Sequence, residues 1–340
     1  MTRFKSRVPS LKFRVNARCV TAPLLLHSGF FIAGLSLLLA VTGCGKGEPK
    51  PRDLRIFHAA GFTPVLDAVR GDAEKRLSIK LLTESSGSQV ACRKLTELRR
   101  ECDLIILADS ELVAELLKGT CSWRLDFGAD EMVLGVGVRA PHASEAEQDW
   151  PSALLKPDVR LGRTDENLSP AGFRTLLVWK LQEGRGSPGL SERLHTKCDK
   201  VVDDVARLAA MLKSGDIDYA FVYRSTCLAH DIRYVELDKA INLGAGDADY
   251  SRAEVTFEKL AAGRNEKVTV RGAPVTWTLS IPDRGADRET AARFVRYLLS
   301  EKADVLEKNG MRPIKKPAFY GTKEALQPFA DFAGYGGELK

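Results

Sequence analysis

Ile79-Lys80-Leu81-Leu82, Glu84-Ser85-Ser86-Gly87-Ser88 and Val90-Ala91-Cys92-Arg93-Lys94-Leu95-Thr96-Glu97-Leu98 follow one another in the chain. They read as a short apolar strand, a turn of small hydroxyl-bearing residues, and a helix with Ser88 as its candidate cap. The same unit precedes it. Leu54-Arg55-Ile56-Phe57-His58 reads as a strand, and Pro64 to Lys75 as a helix carrying Val65, Leu66, Ala68 and Val69. After it comes Leu104-Ile105-Ile106-Leu107-Ala108, wholly apolar, as expected of a strand covered on both faces of a parallel sheet. Further on, Phe173 to Leu181 and Asp203 to Lys213 read as helices, and Tyr219-Ala220-Phe221-Val222-Tyr223 as a strand. Val275 to Ile281 reads as a strand and Arg288 to Leu299 as an amphipathic helix. The alternation predicts an α/β fold with layered helices and parallel sheets. No internal repeat is visible.

In open sheets of this class a ligand sits beyond the carboxyl ends of the strands. That directs attention to His58-Ala59-Ala60-Gly61-Phe62 and to Glu84-Ser85-Ser86-Gly87-Ser88. The second turn runs into a helix, whose free N–H groups and partial positive charge favour an anion. The plainer reading, in which Ser88 only caps its helix, stands beside this one.

The amino-terminal segment follows a different logic. Arg3, Lys5, Arg7, Lys12, Arg14 and Arg18 have no acidic neighbour, and an apolar stretch from Ala22 to Ala40 comes next. Val41-Thr42-Gly43-Cys44 closes it. Basic, apolar and small residues in that order form a secretory signal. The ending resembles the lipobox of bacterial lipoproteins, in which the cysteine is acylated and the preceding segment removed. The competing reading is an uncleaved anchor helix with an incidental cysteine. On the first reading residues 1–43 are the signal peptide and 44–52 a lipidated tether. Six of the 51 basic residues leave with the signal, so 45 basic residues face 45 acidic ones beyond it. The alkaline balance of the whole chain is therefore no argument for nucleic acid, and no basic stripe with interleaved aromatics is present. About 300 residues remain, enough for two domains of ordinary size.

Setting aside Cys19 and Cys44 leaves Cys92, Cys102, Cys121, Cys198 and Cys227. An odd number leaves at least one thiol unpaired in a monomer, and an oxidising compartment is compatible with one or two disulfides. There is no CxxC and no Cys/His cluster at zinc spacing, so neither a metal nor another cofactor is expected. Nothing supports an enzyme. Of the five histidines His27 lies in the signal, and His58, His142, His195 and His230 stand near no nucleophile motif.

An ordered set of segments resembles a known family. Phe57-His58-Ala59 and Glu84 to Ser88 are followed by Asp103 to Asp109, Lys156 to Asp165 and Ala171-Gly172-Phe173-Arg174-Thr175. Asp218-Tyr219-Ala220-Phe221-Val222-Tyr223, Tyr234-Val235-Glu236-Leu237, Ser280-Ile281-Pro282 and Glu307-Lys308-Asn309-Gly310 complete it. Together they resemble the molybdate/tungstate-binding proteins of ABC importers, especially the tungstate-type branch, from about Leu54 to Ile314. The resemblance implies a type II periplasmic-binding fold, with two α/β lobes joined by a two-strand hinge and closing on a ligand. It places lobe I at 53–130 and 235–340 and lobe II at 131–234, with crossings near Asp130 and Tyr234. The function implied is capture of a small oxyanion, molybdate or tungstate with sulfate or phosphate as alternatives. The anion would pass to an ABC permease and its ATPase, and the protein would be exported and lipid-anchored, in the periplasm or at the cell surface. The alternative is a tethered sensor or partner-binding domain of the same fold with a degenerate anion site.

The departures from the family pattern define the candidate site. The family reads Phe-His-Ala-Gly-Ser in the first turn, and Gly61 stands here at the serine, leaving only a backbone N–H. Ser88 and Tyr223 match retained family residues. Ser169 replaces an aspartate before Pro170, and Lys213 replaces a glutamate in Leu212-Lys213-Ser214-Gly215. Loss of both acids argues against six-coordinate metal and for a tetrahedral anion held by donors. Gly61, Ser88, Ser169, Lys213 and Tyr223 are therefore the expected ligand-binding residues. Lys213 reads equally as a solvated helix-end lysine, Arg174 as a structural ion pair, Ser169 as a plain cap and His58 as a packing residue.

Overall fold

The computed structural model describes residues 51–198, 200–244, 248–261 and 264–339. The basic leader, its apolar stretch and Cys44 lie outside these residues. Two sheets organise the rest. The larger has seven strands in the order Gly334–Gly337, Arg312–Tyr320, Arg124–Asp130, Val275–Ser280, Leu104–Leu107, Arg52–Ala59 and Ile79–Ser86. The smaller has five, in the order Lys200–Val202, Leu161–Thr164, Tyr219–Tyr223, Met132–Val136 and Tyr234–Glu236.

Leu104–Leu107 lies between Arg52–Ala59 and Val275–Ser280, and it is buried throughout because Leu104 and Ile106 pack into one apolar cluster and Ile105 and Leu107 into another. Each such side chain contributes roughly 1.5–3 kcal/mol by leaving water. The sheets are mixed, not parallel as the alternation implied. Val275–Ser280 runs antiparallel to both its neighbours, and so does Met132–Val136 in the smaller sheet. The reason is topological. A strand that enters a sheet from the other one arrives without a crossover helix and is free to run in the opposite sense.

The chain leaves the larger sheet at Asp130 and joins the smaller one at Met132. Tyr234–Glu236, where the return was expected, pairs with Met132–Val136, and the next strand of the larger sheet begins at Val275. Between them an antiparallel hairpin, Glu254–Ala261 with Arg264–Arg271, packs against the helix Pro170–Glu183. Phe257 of the hairpin stacks on Phe173 at 6.2 Å between ring centroids.

The helices fall close to expectation: Thr63–Leu77, Ser88–Thr96, Pro170–Glu183, Val205–Ser214 and Arg288–Arg296. Asp204 caps one of them by accepting the Arg207 N–H, and Asp287 caps another through Thr290. No helix among the described residues is long and apolar enough to cross a membrane. All five cysteines beyond Cys44 are buried. Burial pushes the Cys102 and Cys121 thiols up to about 12, and both lie outside any disulfide.

Candidate functional site: the cleft between the sheets

The turns at the carboxyl ends of Arg52–Ala59, Ile79–Ser86 and Leu104–Leu107 meet the helix starts of the smaller sheet. Contact there is direct. Gly87 precedes the helix Ser88–Thr96, and a side chain on it would stand 2.0 Å from the Leu168 carbonyl oxygen. Only glycine lets these two backbones approach so closely. One residue into the helix, Gln89 Nε2 donates to the Glu166 carbonyl at 3.1 Å.

Arg174 forms the centre of the junction. It lies one turn into Pro170–Glu183 and is fully buried. Its Nη1 donates to the Ala108 carbonyl at 2.5 Å and to the Tyr223 hydroxyl at 2.8 Å. Its Nη2 stands 3.5 Å from the Asp109 carboxylate. One guanidinium thus joins the end of Leu104–Leu107 to the end of Tyr219–Tyr223. Its five donors in a rigid fork suit this bridging better than a lysine would. Burial pushes the Tyr223 hydroxyl up to about 12 although Arg174 pulls against it.

Asp130, where the chain crosses between sheets, anchors a second buried group. It accepts from the Glu131 N–H at 2.8 Å, the Ser225 N–H at 3.3 Å, the Trp277 indole N–H at 3.3 Å and the Ser225 hydroxyl. Burial outweighs these donors and raises its carboxyl to about 6. Trp277 then touches Tyr223 edge-on, with 6.1 Å between ring centroids.

The expected residues divide. Gly61 sits in the 3-10 turn Ala60–Phe62, buried, where an added side chain would meet the Trp277 ring at 3.3 Å. Ser88 is buried in the first turn of its helix, not at the cap, which is Gly87. Its hydroxyl instead accepts the Ala108 N–H at 3.1 Å. Tyr223 lies beside Arg174, as above. Ser169 occupies the cap position of Pro170–Glu183, but its side chain makes no cap bond.

Lys213 is not brought to this group. It is exposed in the last turn of Val205–Ser214, where the Leu212 and Ser214 carbonyls accept from Val138 and Arg139. That is the Val136/Tyr219 end of the smaller sheet, opposite the Met132/Tyr223 end that faces the cleft. A helix that leads into a parallel strand ends at that strand's amino edge, so its last turn points away from the ligand edge. The solvated reading of Lys213 is the correct one, and Arg174 supplies the buried cation.

Sequence reasoning left out Ala108, Asp109, Gln89, Asp130 and Trp277. A buried charge leaves no local signature when its partners lie far along the chain, as Ala108 does from Arg174. His58 is a packing residue: it is buried, its Nδ1 donates to the Ala59 carbonyl, and burial lowers its pKa. A cavity of about 580 Å³ opens beside Arg174, under the hairpin, with Gln89, Asp109, Asn167 and Phe257 in its wall. Among the described residues no cluster of His, Cys, Asp or Glu is placed to hold a metal ion.

Comparison with known proteins agrees with this architecture. Residues 54–312 match the family described as bacterial extracellular solute-binding protein. An uncharacterized solute-binding protein of Petrotoga mobilis is 30% identical over 287 residues, covering 82% of this chain and 89% of its own. The molybdate/tungstate-binding protein WtpA of Pyrococcus abyssi is 27% identical, over 87% of this chain and 96% of its own. Among solved structures, the periplasmic molybdate-binding protein of Azotobacter vinelandii superposes with a TM-score of 0.57 at 14% identity, over 76% of this chain and 98% of its own. The sulfate-binding protein SubI of Mycobacterium tuberculosis superposes at 0.54 and 15% identity, over 84% and 93%. The fold is thus the type II periplasmic-binding fold.

Proposed function

The chain belongs to the bacterial extracellular solute-binding proteins, and from that premise we propose that it captures a small oxyanion, molybdate or tungstate, between its two lobes. The observation that carries this is the convergence at Ala108. Ser88 from one lobe accepts the Ala108 N–H, and Arg174 from the other donates to the Ala108 carbonyl with the Tyr223 hydroxyl beside it, beyond the strand ends. A buried guanidinium, hydroxyls and helix starts can together strip an oxyanion of water and replace its hydration with fixed donors. The name borne by the WtpA relative points to the same ligand class.

Lobe I comprises the strands of the larger sheet and lobe II those of the smaller, with Glu131 at the first crossing. Cys44 carries lipid, and the residues after it tether the receptor to the membrane. Tethering raises its effective concentration at the ABC permease that accepts the anion. Hinge closure commits the ligand, and the closed form is the one the permease reads.

Calorimetric titration of the purified protein with molybdate, tungstate, sulfate and phosphate tests the reading. Saturable heat with one of them is expected. No heat and no thermal shift with any would overturn it. One observation favours a second reading, a tethered sensor or partner-binding domain. The Arg174 guanidinium is already engaged by the Ala108 carbonyl, the Tyr223 hydroxyl and Asp109, as in a site that has lost its anion. That reading predicts the null titration, and a gene without permease and ATPase neighbours.

A further inference from the structure

The first turn offers no side-chain donor at Gly61, yet a hydroxyl stands beside it. Thr226, on the short helix Arg224–Ala229 of the opposite lobe, is buried, and its Oγ1 has no hydrogen-bond partner. That oxygen lies 3.7 Å from where a Gly61 side chain would begin.

Thr164 Oγ1, on a strand, is also buried and unpartnered, but among the threonines of the described helices Thr226 stands apart. Thr96, Thr175 and Thr196, also on helices, each donate to the carbonyl four residues back. A buried hydroxyl without a partner costs about 1–3 kcal/mol and calls for an explanation in a native fold. Packing alone does not supply one, because valine has the same shape without the cost.

The position does. Thr226 follows Tyr223 by three residues; Tyr223 borders Trp277, and the Trp277 ring edge, at 3.3 Å, and Thr226 Oγ1 both face the point where a Gly61 side chain would begin. A serine at residue 61 would press on that ring, so the turn cannot carry its own hydroxyl without moving Trp277. We propose that Thr226 donates its hydroxyl to the bound oxyanion across the cleft, at the place where the Gly61 turn offers only backbone. This rests on the oxyanion reading above and assigns one of its specificity-determining contacts. Because the donor belongs to the second lobe, the anion links the Gly61 turn to the helix behind Tyr223, and lobe closure completes the contact.

The test compares wild type, Thr226→Val and Thr226→Ser in molybdate and tungstate titrations, with melting temperatures taken before anion is added. Thr226→Val should weaken binding about ten- to a hundredfold, the worth of a hydrogen bond to a charged group. Thr226→Ser should stay within a few-fold of wild type. Without anion, Thr226→Val should melt no lower than wild type, since it removes an unpartnered polar atom. Equal affinity of Thr226→Val and wild type would overturn the assignment and leave the oxyanion reading standing. So would a Thr226→Ser loss as large as that of Thr226→Val, or a fall in the anion-free melting temperature of Thr226→Val. A wild-type protein that binds no anion would overturn both.

Discussion

Asp130 offers a quantitative test of how the two lobes are joined. Its carboxylate takes four donors, two through each oxygen, at the point where the chain passes between sheets. Even so, burial raises it to about 6. The fold therefore favours the protonated form relative to the unfolded chain, where an aspartate titrates near 4. A cost of ionisation is fully present above about pH 6. It is relieved as the pH falls through 6, and is gone below about 4. Displacement of the pKa from about 4 to about 6 corresponds to about 3 kcal/mol. Asp130→Asn cannot titrate. Its amide loses an acceptor for the Trp277 indole N–H, a fixed cost of about 1–3 kcal/mol at every pH. The difference in stability between wild type and Asp130→Asn should therefore grow in favour of wild type by about 3 kcal/mol from pH 8 to pH 4. Urea unfolding at intervals across that range, followed by tryptophan fluorescence, measures it. Asp126, also raised to about 6 by burial, is present in both proteins and cancels. Two stability curves that stay parallel from pH 8 to pH 4 would refute the reasoning.

Three further outcomes follow from the junction. Arg174→Leu should cost about 3–5 kcal/mol in urea unfolding, because it strands Asp109 and leaves the Ala108 carbonyl unsatisfied. Gly87→Ala places a methyl 2.0 Å from the Leu168 carbonyl, so small-angle scattering should report a larger radius of gyration, with anion affinity reduced and unfolding still cooperative. Lys213→Gln, exposed and distant from the cleft, should leave anion affinity within twofold and stability within about 0.5 kcal/mol.

Much of the fold was legible because burial writes itself into local pattern. Leu104–Leu107 announced a strand covered on both faces, and Tyr219–Tyr223 fell where its apolar run predicted. The hairpin Glu254–Arg271 was not read, since its charged, alternating residues could equally be a loop. The sense of Val275–Ser280 was also hidden, because direction depends on which sheet the chain arrives from. For the proposed site, motif order points to Ser88 and Tyr223, which the structure places at the junction, but spacing alone does not say which end of a helix faces the cleft. Lys213 was misplaced for that reason. Arg174 read as an ion pair, which it is. Its second task, holding the Ala108 carbonyl 66 residues away, depends on tertiary contact.

The distribution of satisfied and unsatisfied groups at the junction bears on where binding energy can come from. A ligand shifts a conformational equilibrium only by the contacts it makes in one state and not the other. Ser88 Oγ and Tyr223 Oη each accept a hydrogen bond from within their own lobe, and the Arg174 guanidinium reaches across the cleft to the Ala108 carbonyl and Asp109. An anion that takes an N–H from Arg174 exchanges one hydrogen bond for another, and gains only the difference between a neutral and a charge-assisted bond. Thr226 Oγ1 has nothing to exchange. A bond to it recovers a desolvation cost that the closed protein already carries, so its contribution is gained in full. Affinity should therefore respond more steeply to the Thr226 hydroxyl than to the Arg174 donors, which already serve Ala108 and Tyr223. If Arg174→Lys, which keeps the charge and drops the fork of donors, weakens anion binding more than Thr226→Val, this ordering is wrong.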